Sequence, residues 1–183
     1  TSSTNLTLSG NTVLTTGNTV NIATLDLAGF TLDQGASTDL AVTNAWNLTG
    51  GILTSGPNIL SLTGGGTFGG AATLDATNST LVLGDNFTTT GGTLTTSNTL
   101  LTLSGNSTLT TGGTSTYIGV TLNNNTLSIG SGTTLSVGSS GIVSSGDILI
   151  NLGGILSVPV GSNVTINSNI ELSGGTLDID EDC

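Results

Sequence analysis

The sequence predicts an all-β chain wound into a single-stranded parallel β-helix, or β-solenoid. First, a Gly-Gly-Thr-Leu motif, clearest at residues 91–94, returns at steps of 19 to 21 residues along the whole chain. Second, two further apolar clusters lie between successive copies, so that short alternating strands fall about every seven residues. A fixed period of this size is typical of repeat architectures. We therefore predict about 20–21 residues and three short strands per coil, and roughly eight to nine coils in a single domain, 1–183.

The repeat positions predict a glycine corner followed by a buried leucine column. Glycine suits the corner because it adopts positive φ without steric cost. The predicted structural repeat residues are Gly29, Leu32, Gly50, Leu53, Leu74, Gly91, Leu94, Gly132, Leu135, Gly153, Leu156, Gly174 and Leu177. We expect Leu94→Asp to cost several kcal/mol by burying an unpaired charge.

A second echo supports three strands per coil. Residues 101–114 repeat residues 6–19 almost letter for letter at a separation of 95 residues. This separation is about four and two-thirds coils, so the two copies should lie on different faces.

Taken in order, residues 1–28 form a first coil whose inward candidates begin with Leu6 and Leu8. Residues 29–90 contain Phe30, Trp46, Phe68 and Phe87, which we expect to fill wider layers of the core, with Trp46 the best alternative candidate for stacking on a sugar.

Asparagines precede the second strand of three successive coils. We expect Asn58, Asn78 and Asn98 to form a ladder of stacked side chains at one corner. Asn86, Asn106 and Asn125 indicate a second set of the same kind.

The repeat is cleanest over residues 91–177, with one interruption between Gly112 and Ile118. There Ser115 replaces the expected leucine and Tyr117 arrives late, so we predict a bulge or a longer corner.

The C-terminal stretch is acidic and ends on the chain's one cysteine. Asp178 and Asp180 should project from the same side of a strand, and Ca²⁺ could bridge them to Asp26 of the next subunit in a head-to-tail stack. Cys183 could form an intermolecular disulfide, remain a free thiol or mark a truncation end.

Composition excludes several functions. The chain has no Lys, Arg or His and a net charge of −11, which excludes direct nucleic-acid binding and disfavours anionic membrane surfaces. No apolar run approaches the roughly 20 residues of a membrane span, so we predict no membrane insertion. Without histidine the common nucleophilic triads are absent, and scattered carboxylates are better explained as solubilising groups. We predict no enzyme activity and no cofactor other than Ca²⁺.

The Gly-Gly-Thr-Leu unit at residues 91–94 and the Leu-Thr-Leu-Ser-Gly-Asn unit at residues 101–106 resemble the β-strand repeats of bacterial surface proteins. The families concerned are autotransporter passengers and filamentous-haemagglutinin-type adhesins. The resemblance implies an extracellular rod, secreted or at the cell surface, that displays, spaces or polymerises. Its expected partners are other copies of itself, joined head to tail, or cell-surface glycans.

Two other non-enzymatic functions stay open, a carbohydrate-binding module and ice binding. Threonines spaced two apart on a strand separate their hydroxyls by about 6.6 Å, and flat arrays of this kind resemble antifreeze solenoids. Against ice binding, the Thr-x-Thr pairs do not recur on one face of every coil. The threonines expected to point outward are Thr7, Thr31, Thr49, Thr93, Thr95, Thr102, Thr108 and Thr110.

Overall fold

The computed structural model describes residues 4–180, which form 22 strands and no helix. This part of the chain therefore offers no helix that is long and apolar enough to cross a membrane. The strands are β1 (Asn5–Thr7), β2 (Thr12–Val13), β3 (Val20–Asp26), β4 (Thr31–Asp33), β5 (Leu40–Leu48), β6 (Ile52–Thr54), β7 (Ile59–Leu62), β8 (Gly65–Phe68), β9 (Thr73–Asp75), β10 (Thr80–Leu83), β11 (Phe87–Thr88), β12 (Thr93–Thr95), β13 (Leu100–Leu103), β14 (Ser107–Thr110), β15 (Thr114–Thr121), β16 (Leu127–Ile129), β17 (Thr134–Ser144), β18 (Ile148–Asn151), β19 (Ile155–Val158), β20 (Val164–Ile166), β21 (Ile170–Ser173) and β22 (Thr176–Ile179).

All the pairings between these strands are parallel, and each strand pairs with the strand about one coil away. The chain makes about eight turns with three strands in each coil. The predicted β-solenoid is therefore confirmed. The strands line up on three faces, and the long strands β3, β5, β15 and β17 each turn a corner and contribute to two of them.

We name the faces by their strands. Face 1 contains β2, β4, β6, β9, β12, residues 114–117 of β15, residues 134–137 of β17, β19 and β22. Face 2 contains residues 20–22 of β3, residues 40–42 of β5, β7, β10, β13, residues 119–121 of β15, residues 141–144 of β17, and β20. Face 3 contains β1, residues 24–26 of β3, residues 45–48 of β5, β8, β11, β14, β16, β18 and β21.

The leucines of the repeat stack in register inside face 1. Leu32, Leu53, Leu74 and Leu94 pair one after another, and Leu135, Leu156 and Leu177 form a second run. Ser115 pairs with Leu135 and begins the second run. Most of these side chains are fully buried, but Leu94 and Leu177 are only partly buried.

The two long echoes lie on different faces. Leu6 pairs with Leu25 in face 3, whereas Leu101 pairs with Leu81 in face 2. The predicted offset of two-thirds of a coil is therefore confirmed. The same sequence unit forms part of face 3 in one place and of face 2 in the other.

The larger aromatic side chains widen the core near its middle. Trp46 and Phe68 both stack on Phe87, with ring centroids 5.5 and 5.8 Å away. The indole Nε1 of Trp46 donates to the Gly64 carbonyl at 2.7 Å, and Trp46 is 3% exposed, so it offers no platform to a sugar. Gly66 lies over the indole, where a Cβ would come within 2.1 Å of the ring. Phe30 departs from the expectation, since it is exposed at a corner.

The corners between face 3 and face 1 need glycine because the backbone there has a positive φ. Gly51, Gly132, Gly153 and Gly174 have φ between 71° and 84°, a left-handed conformation that costs other residues energy. At Gly51 a Cβ would also lie 2.1 Å from the carbonyl oxygen of Phe30 in the neighbouring coil. The Gly-Gly motif thus satisfies both a positive φ and a close approach between coils.

Face 1 is interrupted between β12 and β15. β12 pairs with β9 only and ends its sheet, and Leu94 beside the break is the partly exposed member of an otherwise buried run. A Cβ added at Gly112 or Gly113 would meet no atom within 4 Å. We call this break the face 1 fissure, bounded by residues 93–95 and 114–116.

Chain length explains the fissure. One coil uses ten residues, 89–98, to pass from face 3 to face 2, whereas the next coil uses seven, 111–117. The shorter segment cannot lie alongside the longer one over its whole length, so the strands of face 1 do not pair here. In addition, the register of β15 against β17 shifts between Tyr117 and Gly119. Tyr117 is fully buried and its hydroxyl has no hydrogen-bond partner among residues 4–180. The predicted bulge between Gly112 and Ile118 is therefore confirmed. The alternative of a longer corner is wrong, because this coil passes from face 3 to face 2 in fewer residues than the one before it.

Face 2 is the continuous spine of the described rod. Its strands pair without interruption from residues 20–22 to 164–166. Face 3 is weaker in its middle, since β8 and the coil of β11 are joined by a single bridge from Phe68 to Thr89. Face 2 is the face that stays paired at both places. Face 1 also joins the coils at the face 3 weak point, through β9 and β12, and face 3 joins them at the face 1 fissure, through β11 and β14.

A pair of leucine truncations tests both the column and the fissure. We expect Leu74→Ala to lower the free energy of unfolding by about 2–5 kcal/mol, because it leaves a cavity in a closed layer. Leu94→Ala should cost about half as much, because Leu94 already contacts solvent at the fissure. Denaturant unfolding of both variants beside the parent chain measures the difference. Equal losses would mean that the fissure is closed in solution.

Candidate functional site

Face 1 presents a regular column of outward side chains, which we call the threonine column. These positions pair in register, except across the fissure, and each immediately precedes a position of the inward leucine column. Six of the eight are threonine and two are isoleucine: Thr31, Ile52, Thr73, Thr93, Thr114, Thr134, Ile155 and Thr176. Adjacent members within each paired run are about 4.8 Å apart along the rod.

A second outward column runs beside it, two residues further along each strand. It consists of Asp33, Thr54, Asp75, Thr95, Thr116, Ser136, Ser157 and Asp178. The two columns are about 6.6 Å apart on each strand. Face 1 is therefore a grid made mainly of hydroxyl groups, with carboxylates at three positions and isoleucines at two.

The threonine column is not visible from Thr-x-Thr pairs within single strands. Only β12 and β15 carry that pair on face 1, as Thr93 with Thr95 and Thr114 with Thr116. The signal lay instead in the third letter of the Gly-Gly-Thr-Leu motif. None of the eight threonines expected to point outward is buried, but only Thr31, Thr93 and Thr95 lie on face 1.

Several acids support corners through their carboxylates. Asp26, Asp33 and Asp75 each accept the backbone N–H two residues on, from Ala28, Gly35 and Thr77, at 2.7 to 3.0 Å. These are local turns of the kind that Asp favours.

Asp147 joins two coils. It accepts hydrogen bonds from the Ser168 hydroxyl and from the Asn169 N–H at 3.1 Å, and these hold the pKa of its carboxyl below the usual value. A lowered folded-state pKa stabilises the fold above the ordinary aspartate pKa, and the contribution is lost as pH falls through the folded value.

The three acids proposed for Ca²⁺ lie at opposite ends of the described rod. Asp26 is in β3, near the first strand, whereas Asp178 is in β22 and Asp180 follows it. Within residues 4–180 no group of three or more acidic or cysteine side chains could hold a metal. One chain therefore does not bring these three residues together, and the calcium proposal requires two chains. Cys183 lies outside the described residues.

The asparagine ladder contains two of its three expected members. The Nδ2 of Asn98 donates to the Oδ1 of Asn78 at 3.2 Å on the exposed corner between faces 1 and 2. Both residues have positive φ, 55° and 61°, which asparagine tolerates better than most residues. Asn58 is not part of this stack, because Ile59 pairs with Thr80 and so places Asn58 level with Ser79.

Asn58 instead points inward and belongs to a buried polar column. Its Nδ2 donates to the carbonyl oxygens of Ser55 and Gly35, the latter at 2.5 Å. The column runs through Thr38, Asn58, Ser79 and Thr99, all buried and hydrogen-bonded to backbone carbonyls. Such bonds satisfy carbonyl groups that a corner leaves without a strand partner.

The second asparagine set also joins coils. Asn86 and Asn106 each accept the backbone N–H of a residue one coil on, Thr108 at 2.9 Å and Thr126 at 2.8 Å. Asn125 instead donates from its Nδ2 to backbone carbonyls, including that of Leu103 in the preceding coil. Their contacts are those of structural residues.

A cleft of about 330 Å³ lies at the corner between faces 1 and 2, near the N-terminal end of the described rod. It contains hydroxyl and small apolar groups but no ionisable side chain. Its lining is Leu14, Thr15, Thr16, Gly17, Ala36, Ser37 and Thr38.

No family model, curated protein or solved structure matches this chain. The resemblance to bacterial surface proteins therefore stays a prediction that rests on the repeat units themselves.

Substitutions at Asn98 separate its backbone role from its side-chain role. Asn98→Gly keeps the positive φ and removes the bond to Asn78, so it should change the free energy of unfolding by only a few tenths of a kcal/mol. Asn98→Ala should destabilise by about 1 kcal/mol, because alanine is strained at this φ. Thermal unfolding of the two variants checks this order. Equal losses would place the main contribution in the side-chain bond.

Proposed function

We propose that this chain is a non-enzymatic, extracellular structural protein, a rod that acts as a surface adhesin segment or as a subunit that stacks head to tail. The observation that carries this proposal is the unbroken parallel ladder of face 2, which makes the described residues one stiff repeating element. The chemical groups are spread along faces rather than gathered in a pocket. A rod that displays groups along its length, or that holds other groups apart, needs this arrangement.

Both ends of the described ladder could accept another coil. β1 pairs with β3 only, and β22 pairs with β19 only. In the last coil, Leu172 and Ile179 take inward positions but are 51% and 55% exposed. A strand with one unpaired edge is a template for another strand, and a coil of a second copy has the right cross-section to continue the ladder.

Head-to-tail contact is heterologous and does not close, so it produces filaments rather than a dimer. Acids at the C-terminal end oppose this contact, and Ca²⁺ bridging Asp178 and Asp180 to Asp26 of the next copy would relieve the repulsion. For an adhesin segment the partners would be cell-surface glycans, reached through the hydroxyl-rich faces.

Sedimentation of the purified chain tests stacking. With a reducing agent present to exclude disulfides through Cys183, we expect species that grow with concentration and are larger with Ca²⁺ than with a chelator. Fibres that are indifferent to the chelator would remove only the calcium bridge. A particle of monomer mass under both conditions at high concentration ends the stacking proposal.

Ice binding is the second candidate, and the threonine column favours it. Face 1 repeats hydroxyl and methyl groups about 4.8 Å apart along the rod and about 6.6 Å apart along each strand. An ordered surface of this kind matches a partner that is itself periodic. The fissure divides the column into two runs of four, and the carboxylates of Asp33 and Asp75 are engaged by the backbone at the corner.

A thermal-hysteresis assay tests this second function. If face 1 binds ice, the parent chain should show hysteresis, and Thr73→Tyr with Thr134→Tyr should abolish most of it by breaking the flat grid. Tyrosine suits strands, so the fold should persist. The matched control is Thr67→Tyr with Thr108→Tyr on face 3, which should keep the activity. A parent chain without hysteresis excludes the function.

A further inference from the structure

The carboxylates of this chain are unevenly distributed over its three faces. Face 1 carries Asp33, Asp75 and Asp178, and face 3 carries Asp26 and Glu171. The outward positions of face 2 carry one acid, Asp39, at its edge, and its Oδ1 accepts the N–H of Ile59 at 2.9 Å. From β7 to β20, face 2 has no ionisable outward side chain.

The same part of face 2 is partly apolar. Ile59 and Val143 point outward and are 42% and 60% exposed. Val82 and Leu100 lie between them on the surface and are partly exposed. The remaining outward positions are mainly threonine, serine and glycine. Because these side chains are small and uncharged, this surface is flat and uncharged.

Charge limits how two copies can meet side by side. With eleven acids and no Lys, Arg or His, two copies cannot form a salt bridge between side chains. Contact through face 1 or face 3 would bring carboxylates together, and like charges across an interface are strongly unfavourable. Contact through face 2 keeps the acids of faces 1 and 3 out of the interface. It leaves Asp39 at one edge of face 2 and Asp85 and Asp147 at the corner between faces 2 and 3, where salt screens charges about 8–10 Å apart or more.

We propose that face 2 is a docking surface for a second copy of this chain, with the two rods packed sheet on sheet. The proposal rests on the self-association in the proposed function, but it concerns the sides of the rod rather than its ends. Stacked sheets pack about 10 Å apart with their side chains interdigitated. Because both copies use the same surface, the contact is isologous and closes at a dimer.

The area of face 2 sets the strength of this contact. Strands of about four residues are about 13 Å long, and eight of them stacked span about 38 Å, which gives roughly 500 Å² per copy. Stable complexes bury about 800 Å² per partner. The dimer is therefore weak for a single pair of rods. It becomes strong where rods stacked end to end form two filaments whose face 2 surfaces meet along their length, because the contacts then act together.

Sedimentation velocity over a concentration series tests the docking surface, with a reducing agent and a chelator present. The parent chain should pass from monomer to dimer as concentration rises, and added salt should favour the dimer. Val82→Asp with Val143→Asp puts two carboxylates on face 2 and should weaken dimerisation at least about tenfold. Ile52→Asp with Thr116→Asp adds the same charge to face 1 and should leave the dimer unchanged.

The outcomes separate this contact from end stacking. A parent chain that stays monomeric throughout, or a dimer that only the face 1 variant loses, overturns the docking surface. Circular dichroism of both variants shows whether they keep the strand content of the parent, and a third variant, Val143→Thr, removes apolar surface without charge and should weaken the dimer more mildly. Fibres that persist in the face 2 variant support stacking and leave the lateral contact to be judged from the dimer alone.

Discussion

The structure depends on the backbone ladder that joins each coil to the next. Every parallel strand must meet its predecessor in register, so each coil has to return to the same place after about 20 or 21 residues. That requirement fixes the leucine column and the glycine corners, since the first fills the layer and the second lets the backbone turn. The outward positions do not have to meet this in-register packing requirement. Threonine, isoleucine, aspartate and glycine can therefore all occupy them without disturbing the fold.

The ladder also determines where the rod is weak. Three faces carry three separate ladders, and a change in corner length can break one while the others stay paired. The shortened path through residues 111–117 breaks face 1 beside Leu94, and the coil of Phe87 nearly breaks face 3. Face 2 passes both places intact. In a solenoid of this kind, strand pairing can be lost on one face while it persists on the others. The stiffness of the whole rod therefore depends on the face with the fewest interruptions.

The sequence predicts the features that depend on period and leaves out those that depend on the neighbouring coil. The repeat, the inward leucines and the irregularity around Ser115 follow from one-dimensional spacing. The prediction that places Asn58 in the exposed ladder is wrong, because the coil from Leu53 to Leu74 has 21 residues, whereas that from Leu74 to Leu94 has 20. A constant step of 20 puts Asn58 in the exposed ladder, but the true step buries it. The exposure of Leu94 and the regularity of the threonine column likewise depend on how the neighbouring coil pairs. A single stretch of sequence does not contain that information.

The distribution of charge gives the three faces different capacities. Backbone bonds at the ends of the rod depend little on side chains, so axial contact recognises the shape of a coil rather than its sequence. Lateral contact is different, because it meets whatever the outward positions carry. In a chain without Lys, Arg or His, an outward aspartate cannot be neutralised by a side chain of a second copy, so the faces that hold Asp75 or Glu171 are less suited to contact with another copy than to contact with water. Only face 2 lacks this restriction along most of its length, and it is also the face whose unbroken pairing holds a flat surface in shape. The continuity that stiffens the rod and the neutrality that permits lateral contact therefore coincide on the same strands.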